Sequence, residues 1–349
     1  MKKINYYFTL ILVAFITLFS FFNMFQIVAL SNNVIKIVIN NLLPSLLPFM
    51  ILISLCLLLG LLNFFSYIIQ WFFKPLFKLS PIMSSIYFIS FFCGYPTNVK
   101  MIKEAYELKY INLQELQHLL SIASFASISF IFVSLNLEIP LIIYICHLIP
   151  SIIKALCYRQ HYSFLSLQEA IMKIKQPHLN FVDALKKSIL SSCYAFIFIL
   201  GYMLVFQFIG YAISHFIDDT FINAVILGIL EFSSGSLGLL QFNHTPLIYS
   251  LICFNLSFSG LSVMMQTDNL LDGIDYSFKK YFLARLYHGV FSFILCYLYL
   301  SIWYNFIKLL YYQSKKLKYI FVLYKSNYFT YKILYNNGSE VELWKIVIK

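Results

Sequence analysis

The chain has 349 residues, 61% of them hydrophobic and only 11% charged, with a mean hydropathy of +0.80, whereas a soluble domain carries roughly a quarter charged residues. That composition excludes a single water-soluble core, and the apolar blocks are long enough to cross a hydrocarbon layer of about 30 Å. The formal net charge of +11 is spread over short loops and the C-terminal end instead of one folded face, so it excludes a nucleic-acid interface and reads as a topology signal.

Met1-Lys2-Lys3 opens onto an apolar run from Tyr6 to Leu30. A cleaved signal peptide has a core of about 7 to 15 apolar residues, so this run reads as a retained signal anchor. Further apolar segments at 45–63, 113–136, 139–157, 188–212, 221–240, 245–266 and 281–310 bring the expected crossings to about eight. The fold class is therefore an all-α integral membrane protein, with both termini on one side. Lys2, Lys3, Lys74, Lys78, Arg159, Lys186 and Lys187 fall on one face of this scheme, and Glu138, Asp218, Asp219, Asp268 and Asp272 on the other. Retention of Lys and Arg in the cytoplasm makes both termini cytoplasmic.

Pro44 and Pro48, four apart, each remove a backbone donor and predict a disrupted helix at membrane depth. The segment from Pro81 to Cys93 is too short to cross and stops at Gly94-Tyr95-Pro96, which predicts one arm of a re-entrant hairpin. Gly permits the turn and Pro sets φ for a new helix through Thr97, Asn98 and Lys100, whose unpaired N–H groups would suit a carboxylate or phosphate. The stretch 97–112 carries Lys100/Glu104 and Lys103/Glu107 four apart and predicts an amphipathic helix at the membrane interface.

In the second half, Glu231 is the one carboxylate well inside an apolar segment, where it costs at least about 2.5 kcal/mol unless paired or protonated. Asn255, Ser259, Ser262 and Gln266 recur at helical spacing and predict a polar stripe that lines a path or bonds a neighbouring helix. Arg285 and His288, three apart, share one side of the last span. Arg285 suits a bidentate carboxylate clamp, with Glu231 as its partner when no substrate is present, or else a surface anchor. Phe92-Cys93-Gly94 echoes Phe258-Ser259-Gly260, the trace of a duplication such as many secondary transporters contain. Seven scattered cysteines read as small buried hydrophobes without metal spacing. Residues 328–348 alternate around Asn336-Asn337-Gly338 and predict a β-hairpin tail. Neither an HExxH pair, a GxSxG elbow, a Walker loop nor paired carboxylates occur, so no enzyme, metal or cofactor is expected.

LLPSLLPFMIL at 42–52, CGYPTNVK at 93–100, EFSSG at 231–235, FSGLSVMMQ at 258–266 and ARLYHG at 284–289 together resemble the YlbJ-type sporulation integral membrane proteins. The resemblance covers about residues 40–310. It implies two gate-like nucleoside-recognition repeats and export of dipicolinic acid towards the forming spore, across the outer forespore membrane. Asn98 and Val99 replace small residues usual after the family's Gly-Tyr-Pro, and SFASISF at 124–130 replaces an Asn-rich stretch. The organisation implied is an anchor (1–33), a first gate-like half (34–157), a cytoplasmic linker (158–187), a second half (188–312) and a cytoplasmic tail (313–349). The expected substrate is a small organic anion held near Gly94, Tyr95, Pro96, Asn98, Lys100, Glu231, Asn255, Ser259, Gly260, Ser262, Gln266, Arg285 and His288. A neutral metabolite or nucleoside carrier, and a non-transporting envelope scaffold, are the alternatives, and a homo-oligomer is compatible with each.

Overall fold

The protein is described by a computed structural model that covers residues 2–157, 162–175 and 179–317; the predicted β-hairpin at 328–348 lies outside the described residues. In chain order the helices are α1 (Lys2–Phe22), α2 (Met24–Ile37), α3 (Leu43–Leu58), α4 (Leu61–Phe77), α5 (Pro81–Ser90), α6 (Thr97–Glu107), α7 (Leu113–Ile122) and α8 (Pro140–Leu156). They continue with α9 (Leu167–Lys175), α10 (Phe181–Ser214), α11 (Thr220–Leu230), α12 (Phe232–Leu239), α13 (Pro246–Phe258), α14 (Gly260–Leu270) and α15 (Phe278–Leu317). π-Helical turns at Val38–Leu42 and Phe130–Ser134 complete the order, and no strand occurs among the described residues.

Four helical stretches among the described residues are long and apolar enough to cross a membrane: Met24–Leu58, Phe181–Ser214, Pro246–Leu270 and Phe278–Phe306. The first joins α2 to α3 through the π-turn, which ends at Leu42, two residues before Pro44. Pro48 sits inside α3 and leaves the Pro44 carbonyl without its usual donor, so the chain widens there without breaking. The outer face of α10 is apolar and exposed at Val182, Ile189, Ile197, Phe198 and Val205, as a lipid-facing helix requires.

Several expected single spans are divided. The run 6–30 is interrupted at Asn23, whose amide bonds Phe19 O at 2.9 Å. The run 113–136 is helical only to Ile122, then unwinds before Ser127 Oγ caps Phe130 N at 3.1 Å. The run 221–240 folds into a tight hairpin of α11 and α12 whose tip is Glu231. Gly228 and Gly235 make this possible, because a Cβ at Gly235 would fall on the Gly228 backbone. At 1.5 Å per residue α11 and α12 reach only about 17 and 12 Å, less than half to just over half of a bilayer core.

The expected interfacial helix at 97–112 is a larger departure. α6 is a core element, with Val99, Met101 and Ile102 fully buried and Lys100 only 4% exposed. Its charges are neutralised in place by the Lys100–Glu104 pair, with Nζ and Oε1 2.5 Å apart, so polarity of composition did not imply exposure. The cysteines are all free, and Cys253 Sγ donates to Ile143 O at 3.8 Å.

α6 packs on α3, α14 packs on α10, α3 and α10 pack on each other, and α6 touches α14. The part of the linker at 162–175 docks on α4, where Gln70 bonds the Leu165 backbone through both Nε2 and Oε1 at 2.8 Å. A direct test of the hairpin compares two glycines. Gly235→Ala should lower stability by about 1 to 3 kcal/mol through overpacking, whereas Gly201, with nothing within 4 Å of an added Cβ, should tolerate Ala. Melting curves of the two purified variants in detergent read the difference.

Candidate functional site

Unwinding after α7 frees a run of backbone groups in a region with no water to bond them, and six groups from Ser121 to Ala126 find named partners. Arg285 donates from one terminal nitrogen to Ser124 O at 2.5 Å and Ser257 O at 3.4 Å, and from the other to Ser121 O at 3.3 Å. Ser151 Oγ donates to Ile122 O at 2.5 Å, Asn98 Nδ2 to Ala123 O at 2.6 Å, and Tyr95 N to Phe125 O at 2.8 Å. Ala126 N donates to His147 Nε2 at 3.1 Å. That bond fixes the neutral tautomer of His147, so its Nδ1–H donates to Ser257 Oγ at 2.7 Å, which in turn donates to Ser292 Oγ at 2.8 Å.

His288 stacks on His147 with ring centroids 5.0 Å apart and donates from Nε2 to His147 O at 2.6 Å. Its Nδ1 and Arg285 Nε have no hydrogen-bond partner. The Arg285 guanidinium thus sits where the C-terminal ends of α7 and α13 converge, and their carbonyls carry partial negative charge. It is fully buried, so the surface-anchor alternative does not hold.

The expected Arg285–Glu231 pair does not form either. Glu231 is 1% exposed and caps α12, accepting from Ser233 N at 3.2 Å, Ser234 N at 2.7 Å and Ser233 Oγ at 2.7 Å. An N-terminal cap neutralises a buried carboxylate without a cation, and the hairpin tip holds Glu231 to its own helix.

Gly94, Tyr95 and Pro96 form the turn between α5 and α6. A Cβ at Gly94 would lie 2.6 Å from Ser127 N and Cβ, so glycine lets the unwound 123–127 stretch lie directly on the turn. The expected open donors at the start of α6 are instead used locally: Gly94 O accepts from Thr97 N at 2.9 Å, and Asn98 Oδ1 from Val99 N at 2.9 Å. Tyr95 crosses to the second half, donating to Leu256 O at 3.0 Å and meeting Phe232 edge-on at 5.0 Å.

The polar stripe on α13 and α14 is not continuous, because the helix breaks where Ser259 and Gly260 take φ of 73° and 75°. Asn255 faces the hairpin, 3.5 Å from Ser236 Oγ and against Gly228. Ser262 accepts from Gln266 Nε2 at 3.2 Å. Gly260 lies close to Phe232 N and Leu230 O, which brings the start of α14 to the hairpin tip. No side chain caps α14. Ser259 Oγ at the cap position, Gln266 Oε1 and Thr97 Oγ1 are buried without hydrogen-bond partners.

The structure therefore gathers Tyr95, Ser259, Gly260, Asn255 and Glu231 around the hairpin tip, with Ser262 and Gln266 on the adjoining α14. Arg285, His288 and Asn98 serve the unwound stretch, and Lys100 points to Glu104. Sequence reasoning passed over His147 and Ser151, and it named Thr97 only as part of the helix start and Glu104 only as the partner of Lys100. His147 carried the same signal as Glu231, a titratable group in an apolar segment. No cluster of three or more His, Cys, Asp or Glu side chains that could hold a metal ion occurs among the described residues.

The broken helices and apolar spans define a polytopic all-helical membrane protein. Residues 39–147 match the family described as Gate: Nucleoside recognition. Among curated proteins, the chain is 24% identical over 292 residues to the sporulation integral membrane protein YlbJ of Bacillus subtilis (strain 168), covering 71% of each chain. No solved structure matches it.

A double-mutant cycle tests the separate neutralisation of the two buried charges. Arg285→Leu should cost about 3 to 5 kcal/mol by stranding carbonyls and the space they share. Adding Glu231→Gln should not rescue it, with the two effects additive to about 0.5 kcal/mol. Thermal unfolding of the single and double variants measures the coupling.

Proposed function

We propose that this protein is a membrane transporter exporting dipicolinate or a similar small organic anion during sporulation, built from two gate-like repeats, 34–157 and 188–312. The linker 158–187 and both termini then lie in the cytoplasm, and the membrane is the outer forespore membrane. The reading is supported by the gate match, by the relative's printed role in sporulation, and by the matched packing of α6 on α3 and α14 on α10.

The observation that carries it is the uncapped start of α14 with the unpartnered Ser259 Oγ at its cap position, together with two further buried polar atoms without partners, Gln266 Oε1 on the same helix and Thr97 Oγ1 on α6, which touches α14. Buried polar groups are rarely left unpaired, and here two hydroxyl donors and a helix start suit a planar dicarboxylate with aromatic walls at Tyr95 and Phe232, whereas Gln266 Oε1 can only accept and calls for a donor. Arg285 Nε and His288 Nδ1 are the further open groups behind them.

A second reading, a nucleoside or other neutral carrier, is favoured by one feature. The guanidinium ends of Arg285 are committed to carbonyls, leaving mostly uncharged groups open. Comparing uridine with dipicolinate binding to the purified protein separates the two.

Deletion of the gene should leave spores depleted of dipicolinate, and normal content would overturn the export role. Ser259→Ala and Thr97→Val should each reduce export roughly tenfold or more, the worth of a hydrogen bond to a charged group, with protein levels unchanged on immunoblots.

A further inference from the structure

Outside this site the structure holds a second polar centre, between α3, α6 and α10. Glu104 Oε1 accepts from Lys100 Nζ at 2.5 Å, from Ser54 Oγ of α3 at 2.9 Å and from Ser191 Oγ of α10 at 3.5 Å. Its other oxygen, Oε2, is buried and accepts from nothing. Ser188 and Ser192, on adjoining turns of α10, are fully buried with unpartnered hydroxyls. A carboxylate oxygen left bare in a helical membrane core is costly, and apart from the Lys100 ammonium the groups bonded to this carboxylate are hydroxyls of α3 and α10.

We propose that Glu104, with Ser54 and Ser191, forms a sodium site in which the ion exchanges for the Lys100 ammonium. The ligand chemistry is all oxygen, which suits a hard cation. With one carboxylate, it balances one positive charge, so a monovalent ion fits where a divalent one would leave net charge buried. Lys100 at present supplies that charge from within the chain.

Exchange has a definite consequence for charge. The Lys100–Glu104 pair is neutral; sodium on Glu104 keeps the carboxylate neutralised and releases one ammonium. Lys100 stands one turn from Thr97 on α6, so the released charge lies on the helix that carries one of the open hydroxyls. Sodium binding stands apart from the transport reading, whereas its use to draw an anion into the site rests on that reading.

The test uses the purified full-length chain in detergent, without substrate, melted in sodium chloride or in choline chloride at equal ionic strength. Sodium should raise the melting temperature in a saturable way, as a ligand that binds only the folded state does. Glu104→Gln should abolish the shift, and Ser54→Ala or Ser191→Ala should weaken the apparent affinity roughly tenfold. Lys100→Met removes the internal competitor and should tighten it, a change of sign that a merely structural pair would not produce. Should Glu104→Gln fail to fold, the serine variants and Lys100→Met carry the test. Equal melting in the two salts, a shift that follows pH and not sodium, or unchanged sodium affinity in Lys100→Met would overturn the proposal. Spores depleted of dipicolinate, together with a protein indifferent to sodium, would sink this inference and leave the transport reading standing. Sodium binding with normal spore dipicolinate would support this inference and remove that reading.

Discussion

Every break in a helix inside hydrocarbon exposes backbone groups that water cannot reach, and this constraint organises the structure. The unwound stretch after α7 is tolerated because Arg285, Ser151, Asn98, Tyr95 and His147 each take one or more of its orphaned carbonyls or N–H groups. The break at Ser259 follows the same rule. It removes the usual donors of the Leu256 and Ser257 carbonyls, and Tyr95 and Arg285 replace them from other helices. Irregular backbone at membrane depth is thus held by side chains from both halves of the sequence.

Charge is handled by the same means. Arg285 is buried with no carboxylate within 4 Å among the described residues, and the partial charges of two helix C-termini stand in for one. Glu231 is buried with no cation, and the start of α12 stands in for that. A buried arginine and a buried glutamate in one membrane core invite pairing on paper. The helix ends neutralise each of them more locally, and without requiring two long side chains to meet.

Much of the architecture was legible in the sequence. Apolar length gave the membrane class, and Gly94-Tyr95-Pro96 marked the turn between α5 and α6. What remained illegible depends on contacts far apart in the chain. The divided span at 221–240 is uncharged apart from Glu231, and only the approach of Gly228 to Gly235 shows it to be a hairpin. α6 reads as a surface helix because Lys100, Lys103, Glu104 and Glu107 are counted as exposed charge. Two of them are instead enclosed by Ser54 and Ser191, residues 50 and 87 positions from Glu104. At the site, periodicity selected Ser259, Ser262 and Gln266, but it could not tell which donors and acceptors were already occupied by distant parts of the chain, such as the terminal nitrogens of Arg285.

The hydroxyl of Tyr95 ties the first half of the chain to a carbonyl that the second half has released. Drawing the Gly94–Pro96 turn away from α13 would stretch that bond, and a larger displacement would leave Leu256 O bare in a medium that offers no substitute. The bond therefore acts as a cross-tie, holding the turn between α5 and α6 against the C-terminal end of α13 where the backbone of neither half is regular.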